Sequence, residues 1–354
     1  MIKTKYAVAF AAVSVFSASV ADASEASATY KWKMATPWSG GPLLERDAKG
    51  FANRVAELSE GRIKIDVFPG GSLGSALKVT DTVSAGIADV AHNYINYDYG
   101  KDATTSILAG HSSGLTPEEY ILWMYQGGGI ELYEKFRKEK FNVVAFPCSV
   151  SGTEIFLHSN KEVKNLEDFQ GLKIRTSGAW SEIASRLGAS TVVMSGGDIY
   201  SGLERGVIDA TEWGTPEQNM LTGYNEVAQY IIVPGVHQSG GANECQINMK
   251  VWTSLSDEDQ NLIRAAAKLN LFDSYLHSSF NDLEAMKILK AGPNKIIQLD
   301  QSFIDTIYAE TKKWEEEHAA KNEWFADVLE SQRSYKELSR IWPEYRLQIG
   351  TMGR

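Results

Sequence analysis

Apolar and polar residues alternate one by one at two places near the start of the chain. Tyr30, Trp32 and Met34 are interleaved with Lys31 and Lys33, and Ile63, Ile65 and Val67 with Lys64 and Asp66, the period of half-buried strands. Between them Leu44, Ala48, Phe51, Ala52, Val55 and Leu58 recur at three- and four-residue steps, which predicts a helix closed at Gly61. A strand, a helix and a strand with a short crossover imply parallel strands and a right-handed connection. The rhythm continues with a helix over 78–86, a strand over 88–92 and a helix over 117–127.

Residues 142–147 and 153–159 read as strands flanking a Ser/Gly break, and a second series follows as a strand over 171–175, a helix over 179–187 and a strand over 191–194. The chain is expected to cross from one domain to another near Gly152 and to return after a strand over 230–234, since 245–249 reads as a further strand. Ser256 heads an acid-rich turn, Asp257-Glu258-Asp259, and opens one long helical stretch to about Leu289. Two domains joined by more than one strand make a hinge and a cleft, the kind of place where small ligands bind. Residues 302–346 read as helical, with Trp314, Trp324, Phe325, Leu329, Tyr335 and Trp342 as their apolar stripe. Such a stripe is more often core than partner surface.

The first residues add a compartment. Lys3 and Lys5 precede an apolar run over 6–20, and Ala21-Asp22-Ala23 offers the small residues of a cleavage site, so 1–23 reads as a signal peptide. At 354 residues the chain exceeds what one core usually accommodates, which agrees with two domains. The formal charge of −10, with no basic stretch interleaved with aromatics, argues against nucleic acid as a partner. Cys148 and Cys245 are too few for a disulfide scaffold. An oxidising compartment permits one bridge, but two buried unpaired thiols are the favoured reading.

Patterns for catalysis are missing. The six histidines form no His-Glu-x-x-His pair, neither cysteine has a neighbour at zinc-ligand spacing, and no Gly-x-Ser-x-Gly occurs. Gly127-Gly128-Gly129 lacks the following Lys-Ser/Thr of a phosphate loop. What stands out is Arg175 at the carboxyl end of a strand, where α/β sheets present ligand-binding groups and where a guanidinium can fork onto a carboxylate.

Four stretches carry a resemblance over 30–289: 61–65 with Pro69-Gly70-Gly71-Ser72-Leu73-Gly74; 166–175, Leu-Glu-Asp-Phe-Gln-Gly-Leu-Lys-Ile-Arg; 187–189 through Gly196-Gly197-Asp198-Ile199-Tyr200; and 202–210, Gly-Leu-Glu-Arg-Gly-Val-Ile-Asp-Ala. They resemble the solute-binding proteins of tripartite ATP-independent periplasmic (TRAP) transporters. The resemblance implies an α/β, two-domain periplasmic binding protein fold with hinge strands and a long domain-spanning helix. It implies domain I over 24–152 and 240–283, and domain II over 153–239 and 284–354 with the C-terminal helices. Within the family, 209–213 and 234–238 look like the branch that binds 2-oxo or 2-hydroxy monocarboxylates together with a metal ion, sodium or calcium.

On that resemblance Arg175 clamps the carboxylate, and the metal site falls on the Glu212 carboxylate, the Trp213 main-chain carbonyl and Gln238, with another oxygen expected near Thr153 and Glu154. Glu154 stands where a Gln is more usual and Gln238 where a Glu is common, two changes that compensate in charge. Trp38, Asn93, Tyr94, Tyr97, Trp180 and Asn219 complete the candidate wall, and His237 reads as structural. The implied partners are a small organic acid and the membrane permease subunits, in the periplasm, with a homodimer through the C-terminal helices possible. An exported metal-dependent enzyme and a chemoreceptor-linked sensor are the competing readings.

Overall fold

A computed structural model describes residues 30–342 and Tyr345, so the leader expected over 1–23 lies outside the described residues. Eleven strands are found among them: β1 Tyr30–Ala35, β2 Ile63–Phe68, β3 Val90–Tyr94, β4 Val143–Ser151, β5 Leu157–Ser159, β6 Lys173–Arg175, β7 Ser190–Val192, β8 Ala210–Thr211, β9 Tyr230–Val233, β10 Gly241–Asn248 and β11 Lys295–Gln298. They form two sheets, in the orders β2-β1-β3-β10-β4 and β11-β9-β5-β8-β6-β7. β1 runs parallel to β2, with Tyr30 opposite Ile63 and Trp32 opposite Ile65, as the helical crossover between them requires. The fold is a two-domain α/β arrangement of the periplasmic binding protein kind, each sheet forming one lobe. No helix of the described residues is long and apolar enough to cross a membrane.

As far as β11 the described chain crosses between the lobes three times. β4 leaves the first sheet for β5 of the second, β9 returns to β10, and the helix Asp257–Ala291 leads back to β11. β4 and β10 pair with each other, so two of the connections leave the first lobe side by side. The long helix starts with the Ser256 hydroxyl accepting the Asp259 N–H at 3.2 Å and three acids in its first turn. It packs on β4 and on the helix Lys49–Leu58 of the first lobe, and on the helix Pro216–Leu221 of the second.

Cys148 and Cys245, favoured above as free thiols, instead form a disulfide with Cα atoms 5.3 Å apart. The register explains it. Pro147 pairs with Glu244 and Ser149 with Asn243, which leaves Cys148 as the extra residue of a bulge beside Cys245 on the neighbouring strand. Pro147, which has no N–H to give, is tolerated because β4 is an edge strand.

The C-terminal helices divide between the lobes. Gln301–Ala319 packs on the second-lobe helix Gly178–Arg186, whereas Glu323–Ile341 packs on the first-lobe helices Thr104–Ala109, Pro117–Gln126 and Gly129–Phe141. The expectation that all of 284–354 belongs to the second lobe is corrected at this end. Trp324 meets Phe136 edge-on at 5.5 Å, and Gln332 Nε2 donates to the Ile107 carbonyl at 2.8 Å, both first-lobe anchors. Most of the expected dimer stripe is spent in this packing: Trp314, Phe325 and Leu329 are buried, and only its end at Trp342 is exposed.

Candidate functional site

β6 and β8 are parallel, with Arg175 opposite Thr211, so Arg175 and the next residue of the other strand, Glu212, emerge from the same carboxyl edge of the second sheet. Arg175 is 1% exposed. Its Nε donates to the Met194 carbonyl at 3.1 Å, and Nη1 donates to the Glu212 carbonyl at 3.2 Å and more loosely to Glu212 Oε1 at 3.4 Å. The guanidinium lies over the Trp213 ring, Cζ 5.0 Å from its centre. Nη2 is buried and has no hydrogen-bond partner among the described residues. A buried guanidinium donor left open is costly unless an acceptor arrives to meet it.

The first lobe supplies the facing wall. Trp38, just past β1, donates through Nε1 to His92 Nδ1 at 2.9 Å and meets Trp213 edge-on at 6.3 Å across the cleft. Tyr94 ends β3, and Tyr97 sits in the turn Ile95–Asp98, with the two rings edge-to-face at 5.5 Å. Burial, reinforced by the nearby Glu154 and Glu212 carboxylates, pushes the Tyr94 hydroxyl well above its ordinary pKa; for Tyr97, burial and Glu212 raise it against the pull of Arg175. Both phenols therefore remain protonated donors. Ser151, Gly241 and Asn243 come from the cleft ends of β4 and β10. With Leu43, Ser177 and Gln218 these groups enclose a cavity of about 30 Å³, measured as room for the centre of a water molecule.

An acidic cluster lies at one end. Ligand atoms of Glu154, Glu212 and His237 all fall within 4.8 Å of one another, and all three residues are buried. His237 Nε2 is 3.1 Å from Glu154 Oε2 and 4.0 Å from Glu212 Oε2, while Glu212 Oε1 accepts the Ser177 N–H at 3.0 Å. Burial pushes the Glu154 carboxyl above the usual range; His237 opposes this and the like charge of Glu212 adds to it. Two carboxylates against one guanidinium leave an excess negative charge before any anionic ligand enters. Such a donor set, two carboxylates with one imidazole, fits a cation, and its oxygens suit a hard one.

Of the residues singled out in the sequence, Trp38, Tyr94, Tyr97, Glu154, Arg175, Glu212 and Trp213 line the cavity. Gln238 lies next to the acidic cluster: its Nε2 donates to the Gly240 carbonyl at 2.7 Å, and it lines one small cavity with Glu212 and His237. It also stands near Glu154, because a Cβ placed on Gly241 would lie 3.5 Å from Glu154 Oε1 and 3.8 Å from Gln238 Nε2. Trp180 lies behind, against Phe156 at 5.7 Å and His237 at 5.8 Å.

Three other candidates lie off the wall. Asn93 points to the opposite face of β3 from His92 and Tyr94, as strand alternation dictates, and donates to Thr80 Oγ1 at 3.3 Å. Thr153 is exposed on the hinge, bonded to the Ser239 carbonyl at 2.9 Å. Asn219 turns back to the Gly214 carbonyl at 2.9 Å. The sequence reading missed Ser151, Ser177, Gln218 and Asn243 on the wall and His237 in the cluster. Ser151 had a usable signal, since it lies in the Ser/Gly break where the chain was read as crossing between domains, and Asn243 stands just before the return strand read over 245–249.

Contacts hold the lobes together around the cavity. Arg46 Nη1 donates to Glu217 Oε2 at 2.8 Å, and the Ala179 N–H donates to Ser106 Oγ at 3.0 Å, each from one lobe to the other. Gly178, at φ +63°, is where a side chain would end this approach: its Cβ would fall 2.3 Å from Asn96 of the first lobe. The cleft is closed in this structure.

Known proteins agree with this geometry. The family model for bacterial extracellular solute-binding proteins, family 7 (DctP), matches residues 34–322. A monocarboxylate 2-oxoacid-binding periplasmic protein of Nostoc sp. (strain PCC 7120) is 32% identical over 315 residues, 88% of this chain and 85% of that protein. A TRAP periplasmic solute-binding protein of Colwellia psychrerythraea, solved with bound calcium and pyruvate, is 30% identical with a TM-score of 0.84, covering 88% of this chain and 96% of that one. A counterpart from Pseudoalteromonas atlantica T6c, solved with sodium and pyruvate, is 29% identical with a TM-score of 0.84, covering 89% and 96%. The lobes, the hinge and the match over most of the chain lead to one conclusion: this protein belongs to the DctP family, as a TRAP transporter solute-binding protein and not an enzyme.

Proposed function

We propose that the protein captures a small 2-oxo or 2-hydroxy monocarboxylate in its interlobe cavity, together with a sodium or calcium ion, and delivers it in the periplasm to the membrane subunits of its transporter. The observation that carries this reading is the open Nη2 of Arg175, buried between the lobes beside two carboxylates. In this reading Nη2 meets the ligand carboxylate, the Tyr94 and Tyr97 hydroxyls donate to its oxygens, and Trp38 and Trp213 cover its carbon skeleton. Glu154, Glu212 and His237 would hold the ion. When bound, the ion supplies the positive charge that lets an anionic ligand sit beside two carboxylates.

The cavity supports a ligand of few atoms. Room of about 30 Å³ for water centres suits a pyruvate-sized acid better than a hexuronate. Contacts from both lobes exist only in the closed form, so the ligand shifts the population toward closure, and the membrane subunits would recognise that state. The relatives that bind pyruvate or 2-oxoacids support the ligand class.

Thermal-shift screening tests it. Protein stripped of co-purified ligand by unfolding and refolding should be stabilised by pyruvate or lactate more strongly with calcium or sodium than with chelator. No response to any 2-oxo or 2-hydroxy monocarboxylate, with either ion, would refute the ligand class.

A further inference from the structure

The small cavity that Gln238 lines with Glu212 and His237 is a second space between the lobes. Tyr94, Ser177 and Glu212 border both cavities, whereas His237 borders only this one. Ser112 reaches it from the first lobe and Trp180, in the helix Gly178–Arg186, from the second. Its room for the centre of a water molecule is about 10 Å³, enough for one water.

Three of the residues around it carry a buried side-chain polar atom with no hydrogen-bond partner among the described residues: Ser112 Oγ, Trp180 Nε1 and His237 Nδ1. The three side chains belong to residues 1%, 4% and 3% exposed. Polar neighbours are already committed. The Asn96 amide donates to the Tyr94 hydroxyl at 3.0 Å and its carbonyl accepts the Ser106 hydroxyl, while Gln238 Nε2 is held by the Gly240 carbonyl at 2.7 Å. Closing the lobes takes all three atoms out of solvent, and a buried donor or acceptor left bare is costly.

The chemistry of the wall selects what can serve them. An indole N–H only donates, so the occupant must accept from Trp180, which excludes a metal ion or an ammonium group. Glu212 borders the same space, so an anion would meet a carboxylate. A neutral molecule that both accepts and donates remains, and the volume limits it to water.

We propose that the closed protein holds one buried water in this cavity, shared by Ser112 Oγ of the first lobe and by Trp180 Nε1 and His237 Nδ1 of the second. The site is assembled only when the lobes meet, so the water is a fastener that the open form lacks, nearly as good as a direct hydrogen bond. It also grips the His237 ring from behind and keeps Nε2, 3.1 Å from Glu154 Oε2, turned to the two carboxylates. Ser112 and Trp180 are therefore positioning residues that act on the acidic cluster without touching the ligand. This last role rests on the reading of that cluster as an ion site; the water itself does not.

A crystal structure of the closed protein, at a resolution that shows ordered waters, should place one peak within hydrogen-bonding distance of all three atoms. Titration of pyruvate at fixed calcium gives a second readout. Ser112→Ala and Trp180→Phe should each weaken affinity about fourfold, and the double variant about sixfold, where unrelated losses would multiply to about sixteenfold. Ser112 and Trp180 make no direct hydrogen bond, so a shared third party has to couple them. Ring packing lost in Trp180→Phe is the same whatever stands at 112 and leaves the losses multiplicative. The peak should be gone from crystals of the double variant. Should pyruvate fail to bind the parent, the ligand class falls while the peak still decides this site. A closed parent with no peak joining the lobes here, a direct bond between Ser112 and Trp180, or losses that multiply in full would each overturn the proposal.

Discussion

Replacing Arg175 by methionine keeps the unbranched stem of the side chain and removes the guanidinium with its charge. In the protein, the Met194 carbonyl at 3.1 Å and the Glu212 carbonyl and carboxylate at 3.2 and 3.4 Å lose their donor. The ligand carboxylate loses the open Nη2. Truncating one partner of a buried, hydrogen-bonded charge pair costs about 2–5 kcal/mol of binding, roughly 30- to 4,000-fold in affinity. Arg175→Lys keeps the charge but not the fork, and should fall between, near tenfold. Isothermal titration of pyruvate into stripped protein, at fixed calcium, reads both. The protein itself should lose about 3–5 kcal/mol in the methionine variant, because Glu212 is left buried beside Glu154 with no guanidinium. The lysine variant guards against misfolding as the cause. Binding within threefold of the parent in the methionine variant, with folding intact, would refute the role given to Arg175.

Three further outcomes are expected. Glu154→Gln should weaken the calcium dependence of pyruvate binding at least tenfold, and adding Gln238→Glu should recover most of it, because the two side chains converge beside Gly241; titrations over calcium concentration decide, and no recovery would separate the two positions. Burial lowers His92 and His158 to about 3, so the unfolded chain takes up protons below about 6.5 while the folded one does not. Stability is thus complete above that pH and falls on acidification, by roughly 3 kcal/mol per histidine at pH 4.5, and His158→Phe should flatten the denaturant-midpoint profile between those values. Cys148→Ser with Cys245→Ser opens a link across a 97-residue separation and should cost about 3–5 kcal/mol by denaturant unfolding, and intact-mass measurement of the parent should show two hydrogens gained only after reduction.

The regular parts of the fold could be read from the chain because period-two and period-3.6 patterns are local. The parallel pairing of β1 with β2 and the long helix after Ser256 are of this kind. Arg175 was legible because a strand end in an α/β sheet has a fixed direction and because the family resemblance placed the carboxylate clamp there. Long-range choices were not. The disulfide depends on a bulge that no residue spacing announces, and Glu323–Ile341 crosses to the first lobe because Phe136 and Ile107 offer it partners far away in sequence. Asn93 was misplaced by one residue of strand alternation, a fact that needed only the facing of His92 and Tyr94. His237 enters the acidic cluster through its meeting with Glu154, 83 residues away.

The most direct test of the central claim is a crystal structure of the stripped protein soaked with pyruvate and calcium. The account predicts the pyruvate carboxylate within hydrogen-bonding distance of Arg175 Nη2 and calcium bound between Glu154 and Glu212. Pyruvate lodged away from Arg175, or bound there with no ion at the two carboxylates at saturating calcium, would contradict it.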